Sequence, residues 1–253
     1  MTSQGGVQSL HRALDILETV ARRGGRVTVA EVAESTALPM PTVHRVLRTL
    51  VERGYMRQMA NRSYVLGYRL MPLASVANAT VGAGASPVLA DLVTELGETA
   101  NLAVLAGEEA EYIAQAPSRY AMRMFTEVGR RVELHSTGVG KALLAQLDDV
   151  AIDAIVGRGG LPARTEHTLT TRLALLAEVD LIRRRGFALD EQEQEIGVRC
   201  VAVPLESNVV TGMAVSVSGP VTRMTDELVD RAVPLLQSAA RQLVTDMVGL
   251  VSE

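Results

Sequence analysis

The chain has 253 residues, length enough for two domains, and is 47% hydrophobic with two Phe, five Tyr and no Trp, so its cores are aliphatic and aromatic stacking on single strands is disfavoured. The single Cys200 excludes an intramolecular disulfide and a cysteine-cluster zinc site. No run is read as a spanning helix of roughly 18 uncharged residues, and no basic-then-apolar leader opens the chain, so a cytoplasmic protein without a membrane partner is expected.

The net charge of -4 divides unevenly: residues 1–69 hold 10 Arg against 5 acidic residues, and residues 70–253 hold 15 basic against 24 acidic ones. A basic head on an acidic body is the pattern expected if only the head meets a polyanion.

In chain order, Leu10, Ala13, Leu14, Leu17, Val20 and Ala21 recur at helical spacing, with Ser9 as the expected cap and Gly24-Gly25 as the stop. Thr28-Val29-Ala30-Glu31 has the form of a capping box and predicts a short second helix over 28–36. Ala37-Leu38-Pro39-Met40-Pro41 then makes a turn, and Pro41 suits the first turn of a third helix. That helix is expected to bury Val43, Val46, Leu47 and Leu50, to present Thr42, His44, Arg45, Arg48 and Thr49, and to stop at Gly54. Such a face suits a major groove, where Arg bonds guanine bidentately, Thr and His reach phosphate or base edges, and the helix N-terminus favours a phosphate. Strand-like runs 55–59 and 63–66, joined through Ala60-Asn61-Arg62, predict a hairpin whose Arg57 and Arg62 touch the sugar-phosphate backbone. The order of elements is that of a winged helix-turn-helix binding double-stranded DNA. Thr28, Thr42, His44, Arg45, Arg48, Thr49, Arg57 and Arg62 are its candidate contacts. An ordinary three-helix bundle with a solvated Arg- and Thr-rich face is the alternative reading.

Domains are expected at 1–67, a linker helix at 68–85 and a C-terminal domain at 86–253, with Gly82-Ala83-Gly84-Ala85 as the weak spot and Ser86-Pro87 as a new cap and first turn. Leu70, Leu73 and Val76-Ala77 form an apolar stripe that needs burial. Beyond it the pattern predicts a helix at 87–96, strands at 102–105, 111–116 and 122–127, helices at 139–157 and 172–185, strands at 187–190, 198–204 and 212–218, and a long final helix from 226 that Pro234 should kink. This is an α+β fold, an antiparallel sheet flanked by helices.

Within that domain, amides near Gly138 and Val139 could hold a carboxylate, Ser216 and Ser218 share a strand face by period 2, and Asp190 and Cys200 add a polar partner and a soft wall. Each of these also has an ordinary structural explanation. A catalytic role for Cys200 with Asp190 and His135 is conceivable, but the thiol lies in an apolar strand run that favours an inert buried cysteine. Gly138-Val139-Gly140-Lys141 fails as a phosphate loop because position 135 is His and Ala142 lacks a hydroxyl. The four histidines have no metal-ligand spacing. No catalytic residue, metal or cofactor is therefore expected, and an enzyme tethered to a DNA-binding head is kept as the alternative.

The stretch Leu38 to Leu50, continuing into Glu52-Arg53-Gly54-Tyr55, resembles the recognition helix and wing entry of the IclR family of bacterial transcription regulators. Leu134 to Ala145, Asp190 to Glu193 with Gly197 to Pro204, and Ala214 to Pro220 resemble the same family, in the same order. Two positions depart from the family pattern: Ala37 stands where Gly is frequent and Pro41 where Ser is frequent. The resemblance implies a GAF-like effector domain, a linker helix that packs on a dimer mate, and an effector site at Gly138, Val139, Asp190, Cys200, Ser216 and Ser218. It implies a ligand-controlled regulator acting as a dimer or dimer of dimers on two-fold related half-sites. Its ligand would be a small organic effector, from 2-oxo acids to larger hydroxylated or apolar compounds.

Overall fold

The computed structural model describes residues 7–249 apart from Gly24, Phe125, Asn208 and Val209, and its contacts divide it into two compact units, Met1–Ala77 and Asn78–Glu253. The N-terminal unit runs α1 (Gln8–Arg22), β1 (Arg26–Val27), α2 (Val29–Thr36), α3 (Met40–Glu52), β2 (Met56–Gln58) and β3 (Tyr64–Leu66). Ile16 and Val20 of α1 pack with Val27, Val32, Val43, Leu47, Leu50, Met56 and Tyr64 into one aliphatic core.

The start of α1 corrects the expectation. Val7, not Ser9, is the N-cap and supplies no side-chain bond; its carbonyl accepts from the amides of Leu10 and His11. Gly24 lies outside the described residues, but Gly25 has φ +83° and its amide reaches Val20 O, which closes the helix. At α2 the capping box forms: Thr28 Oγ1 accepts from the Glu31 amide at 3.3 Å and Glu31 Oε2 accepts from the Thr28 amide at 2.6 Å. Ala37 ends α2 in the left-handed region at φ 51°, a conformation that costs a non-glycine residue about 1 kcal/mol. On α3, Val43, Leu47 and Leu50 are buried while Val46 is only half-buried. Its end is a Schellman motif, with the amides of Gly54 and Tyr55 donating to Val51 O and Leu50 O and Gly54 at φ +78°. The hairpin gains a strand that the sequence did not suggest, because β1 pairs with β3 to give the order β1-β3-β2.

Residues 70–96 form one helix, α4 (Leu70–Leu96), where a break at 82–85 and a new start at Ser86-Pro87 were expected. The glycine there serves close approach: a Cβ on Gly82 would stand 2.3 Å from Ile113 O, so α4 lies backbone to backbone on the sheet. Pro87 removes one amide inside the helix, and Ser86 Oγ donates to Gly82 O at 3.3 Å. Residues 70–90 also carry no charge, which corrects the reading that no run is long enough to span; by length and composition alone α4 could cross a bilayer. From Ala85 to Leu96, however, its apolar side chains are built into the core of the C-terminal unit.

That unit continues β4 (Thr99–Ala106), β5 (Glu109–Ala116), β6 (Arg131–Glu133), α5 (Gly138–Leu144), α6 (Asp149–Gly159), α7 (Arg172–Arg185), β7 (Ala188–Glu191), β8 (Val198–Pro204), β9 (Met213–Pro220) and α8 (Asp226–Gly249). The strands make one antiparallel sheet, β6-β5-β4-β9-β8-β7. Leu102, Val201, Val203, Val215 and Val217 face α4 and α8 on one side, and Ala103, Tyr112, Ala188, Ala202 and Ala214 face α5, α6 and α7 on the other. The expected strand at 122–127 is not formed among its described residues; Met122 is exposed, and the edge strand is β6 instead. The expected helix 139–157 is two helices, because Asp148 accepts from the Ala151 amide and caps a second one. Pro234 lies within an uninterrupted α8.

Candidate functional site

In the N-terminal unit, α3 is anchored by Val43, Leu47 and Leu50, so the opposite side of the helix carries the polar residues outward. His44, Arg45, Arg48 and Thr49 are exposed and Thr42 is half-buried. Thr49 Oγ1 donates to Arg45 O, and Arg48 stands 3.8 Å from Glu52 in an exposed pair that leaves its charge largely solvated. The first turn is less open to phosphate than expected: the amides of Thr42 and Val43 both reach Pro39 O, and Pro41 has none. Thr28 spends its hydroxyl on the capping box. On the hairpin, Arg62 takes φ +64° at the exposed tip, and the Arg57 guanidinium lies 4.7 Å from the Tyr68 ring centroid, which orients it without removing it from solvent.

In the C-terminal unit, five of the six expected residues meet on the α5 side of the sheet. Register places Asp190 opposite Cys200, Cys200 opposite Ser218 and Ser218 opposite Thr99, a row across β7, β8, β9 and β4. The adjacent row runs through Ser216, Asn101 and Gln115. Gly138 at the head of α5 presses on this surface, where a Cβ would stand 2.9 Å from Cys200 Sγ. Val139 is different, because it packs into the apolar core shared with α6 and α7. Thr137 caps α5, taking the Gly140 amide at 3.1 Å.

Burial sets the electrostatics of this surface. It pushes the Cys200 thiol up to about 12, with the Asp190 charge adding to the effect, so sulfur stays protonated and unreactive near neutrality. It lifts Asp190 to about 7, although the Glu193 amide donates to Oδ1 at 2.7 Å and opposes the rise. Tyr112, opposite Ala103 on the same side, is raised by burial too. Ser216 Oγ is buried without an oxygen or nitrogen partner, beside the weakly bonding Cys200 thiol.

Several residues join the site that the sequence did not single out. Asn101 Oδ1 accepts from Thr126 Oγ1 at 2.8 Å, Asn101 Nδ2 approaches Ser218 Oγ at 3.4 Å, and Gln115 donates to Thr126. Lys141 is buried against Glu193 and lies 4.0 Å from Glu178. Asn101 immediately precedes the apolar run Leu102-Ala103-Val104-Leu105, and a polar residue at the head of such a run was the one available signal; the structure buries it completely, and buried amides are bonded or functional. A separate cavity of about 210 Å³ lies between His135, Leu144, Ile155, Leu161 and Leu175, away from the serine row.

Comparison with known proteins agrees with both halves. Residues 9–60 match the family model of the IclR helix-turn-helix domain, and residues 73–245 that of the bacterial transcriptional regulator IclR C-terminal domain. The chain is 33% identical to the transcriptional repressor IclR of Escherichia coli K12, over 97% of this chain and 92% of that one. It is 34% identical to the acetate operon repressor of Salmonella typhimurium, over 94% and 89%. The crystal structure of an IclR homologue from Microbacterium hydrocarbonoxydans complexed with 4-hydroxybenzoate superposes with a TM-score of 0.61 at 25% identity, covering 96% of this chain and all of that one.

Proposed function

The chain belongs to the IclR family of bacterial transcriptional regulators, a DNA-binding regulator and not an enzyme, and from that premise we propose that a small organic ligand in its C-terminal domain sets its affinity for an operator. The observation that carries the DNA half is the one-sided α3, whose exposed His44, Arg45, Arg48 and Thr49 oppose a buried aliphatic stripe. Arg45 and its neighbours read base edges in the major groove, while Arg57 and Arg62 hold the backbone. Two copies, as a dimer or a dimer of dimers, place two such helices on two-fold related half-sites, joined through the apolar first half of α4.

The ligand half is supported by the unpartnered Ser216 hydroxyl in a buried polar row. Small acids are the first ligand class, consistent with the 4-hydroxybenzoate bound by the Microbacterium homologue. Ligand binding favours one arrangement of the effector domains and so biases half-site spacing. The test is fluorescence anisotropy on a duplex from the protein's own upstream region and on a random duplex, across salt concentrations. Arg45→Ala should cut discrimination by about tenfold or more, and Arg62→Ala should weaken both duplexes alike. Equal wild-type affinity for the two duplexes would rule out sequence-specific regulation. Ligands are found by thermal shift with a panel of small acids and retested for their effect on DNA binding.

A further inference from the structure

We propose that an anionic ligand enters the row of Ser216, Ser218 and Cys200 together with one proton, and that Asp190 carries it. The proposal rests on the reading of that row as the effector site. Asp190 is 3% exposed, its Oδ1 is taken by the Glu193 amide, and the Gln194 amide also points to the carboxylate, both opposing the rise that burial imposes. The nearest cation is already committed: Lys141 of α5 pairs with Glu193 and approaches Glu178, and Glu178 also holds Arg185 at 2.8 Å. Burial raises the Glu193 carboxyl too, against the pull of Lys141, and the four charges cancel while Glu193 stays ionised on that lysine. The other titratable groups facing Asp190, Cys200 on β8 and Tyr112 on β5, are kept neutral by burial. Asp190 is therefore the surplus negative charge of this compartment.

A ligand carboxylate on the same row would set a second anion beside it, and two like charges out of water do not both stay ionised. With a proton from solvent on Asp190 Oδ2, the repulsion becomes an O–H to carboxylate hydrogen bond, a strong charge-assisted type. Burial already brings Asp190 to about 7, so the proton is available at neutral pH. Above that, the ionised group repels acids and accepts from neutral donors such as primary amides.

The test is calorimetric titration of the full-length protein with glyoxylate, lactate and 4-hydroxybenzoate from pH 6 to 9, at pH 8 in both Hepes and Tris, whose different ionisation heats report proton transfer. One proton taken up per acid bound at pH 8 is expected, with affinity falling about tenfold per pH unit above 7. Asp190→Asn should bind with neither property, while 4-hydroxybenzamide should show no such fall with wild type. An acid that binds at pH 8 with buffer-independent heat overturns the proposal and leaves the effector reading standing. Proton uptake that persists in Asp190→Asn also overturns it, because the proton then resides elsewhere. Failure of all three acids to bind at pH 6 removes the proposal together with the small-acid reading. If Asp190→Asn does not fold, the wild-type proton count decides.

Discussion

Gly140 occupies the first turn of α5, where a Cβ would stand 2.4 Å from Leu134 Cα and 2.5 Å from its carbonyl oxygen. The Gly-Val-Gly run therefore exists for close packing and not to cradle a phosphate. Gly140→Ala should lower unfolding free energy by about 1–3 kcal/mol, read from urea melts, because backbone atoms cannot step aside as a side chain can. Asp190 gives a pH-dependent counterpart. Its folded carboxyl titrates near 7, above an unfolded value of about 3.9, so the folded state keeps a proton that the unfolded chain releases in between. Its contribution is fully present below about pH 4 and is lost as pH rises to about 7. Asp190→Asn should thus leave stability little changed at pH 4 and raise it by a few kcal/mol at pH 8, and equal shifts at both would disprove the assignment. The serines were legible because period 2 alone puts them on one face. Asn101 was not, because its partner Ser218 lies 117 positions away.

Helices whose ends are set by neighbours in sequence were readable. The box at Thr28 and Glu31 and the stop at Gly54 each need only a few consecutive residues. The path of α4 was not, since the reason for a glycine at 82 is the close approach of the Ile113 carbonyl on a strand that comes later. Two glycines of this helix should respond in opposite ways. Gly84→Ala meets nothing within 4 Å and should stabilise by about 0.5–1 kcal/mol through helix propensity. Gly82→Ala must push α4 off the sheet and should destabilise, with the two compared by thermal and urea denaturation. The split between α5 and α6 shows a local signal passed over: Asp148 three residues before Ala151 is an ordinary N-cap, hidden by the continuous apolar pattern on both sides.

At the scale of the molecule, charge and apolar surface are divided along the chain. The basic surplus sits in the unit that presents α3, and the affinity for DNA should therefore fall steeply with salt as bound counterions are released. On the first half of α4, Met71, Leu73 and Val76 are each more than half exposed, more apolar surface than one short segment normally leaves to water. Leu73→Asp with Val76→Asp should shift the protein toward monomer in sedimentation velocity and weaken a two-half-site duplex far more than a single half-site. Unchanged self-association would place the dimer contact elsewhere.

The close of the recognition helix and the start of α4 meet at a pair of glycines. A Cβ on Gly67 would stand 2.1 Å from Gly54 O, the Gly67 amide donates to Tyr55 O at 2.8 Å, and the Arg69 amide reaches Gly54 O. Within the N-terminal unit the first turn of α4 is thus fixed to the close of α3 and to the wing by main-chain contacts. Any side chain at Gly67 would unseat all three together, so this joint tolerates no residue but glycine whatever the sequence of the face that α3 presents.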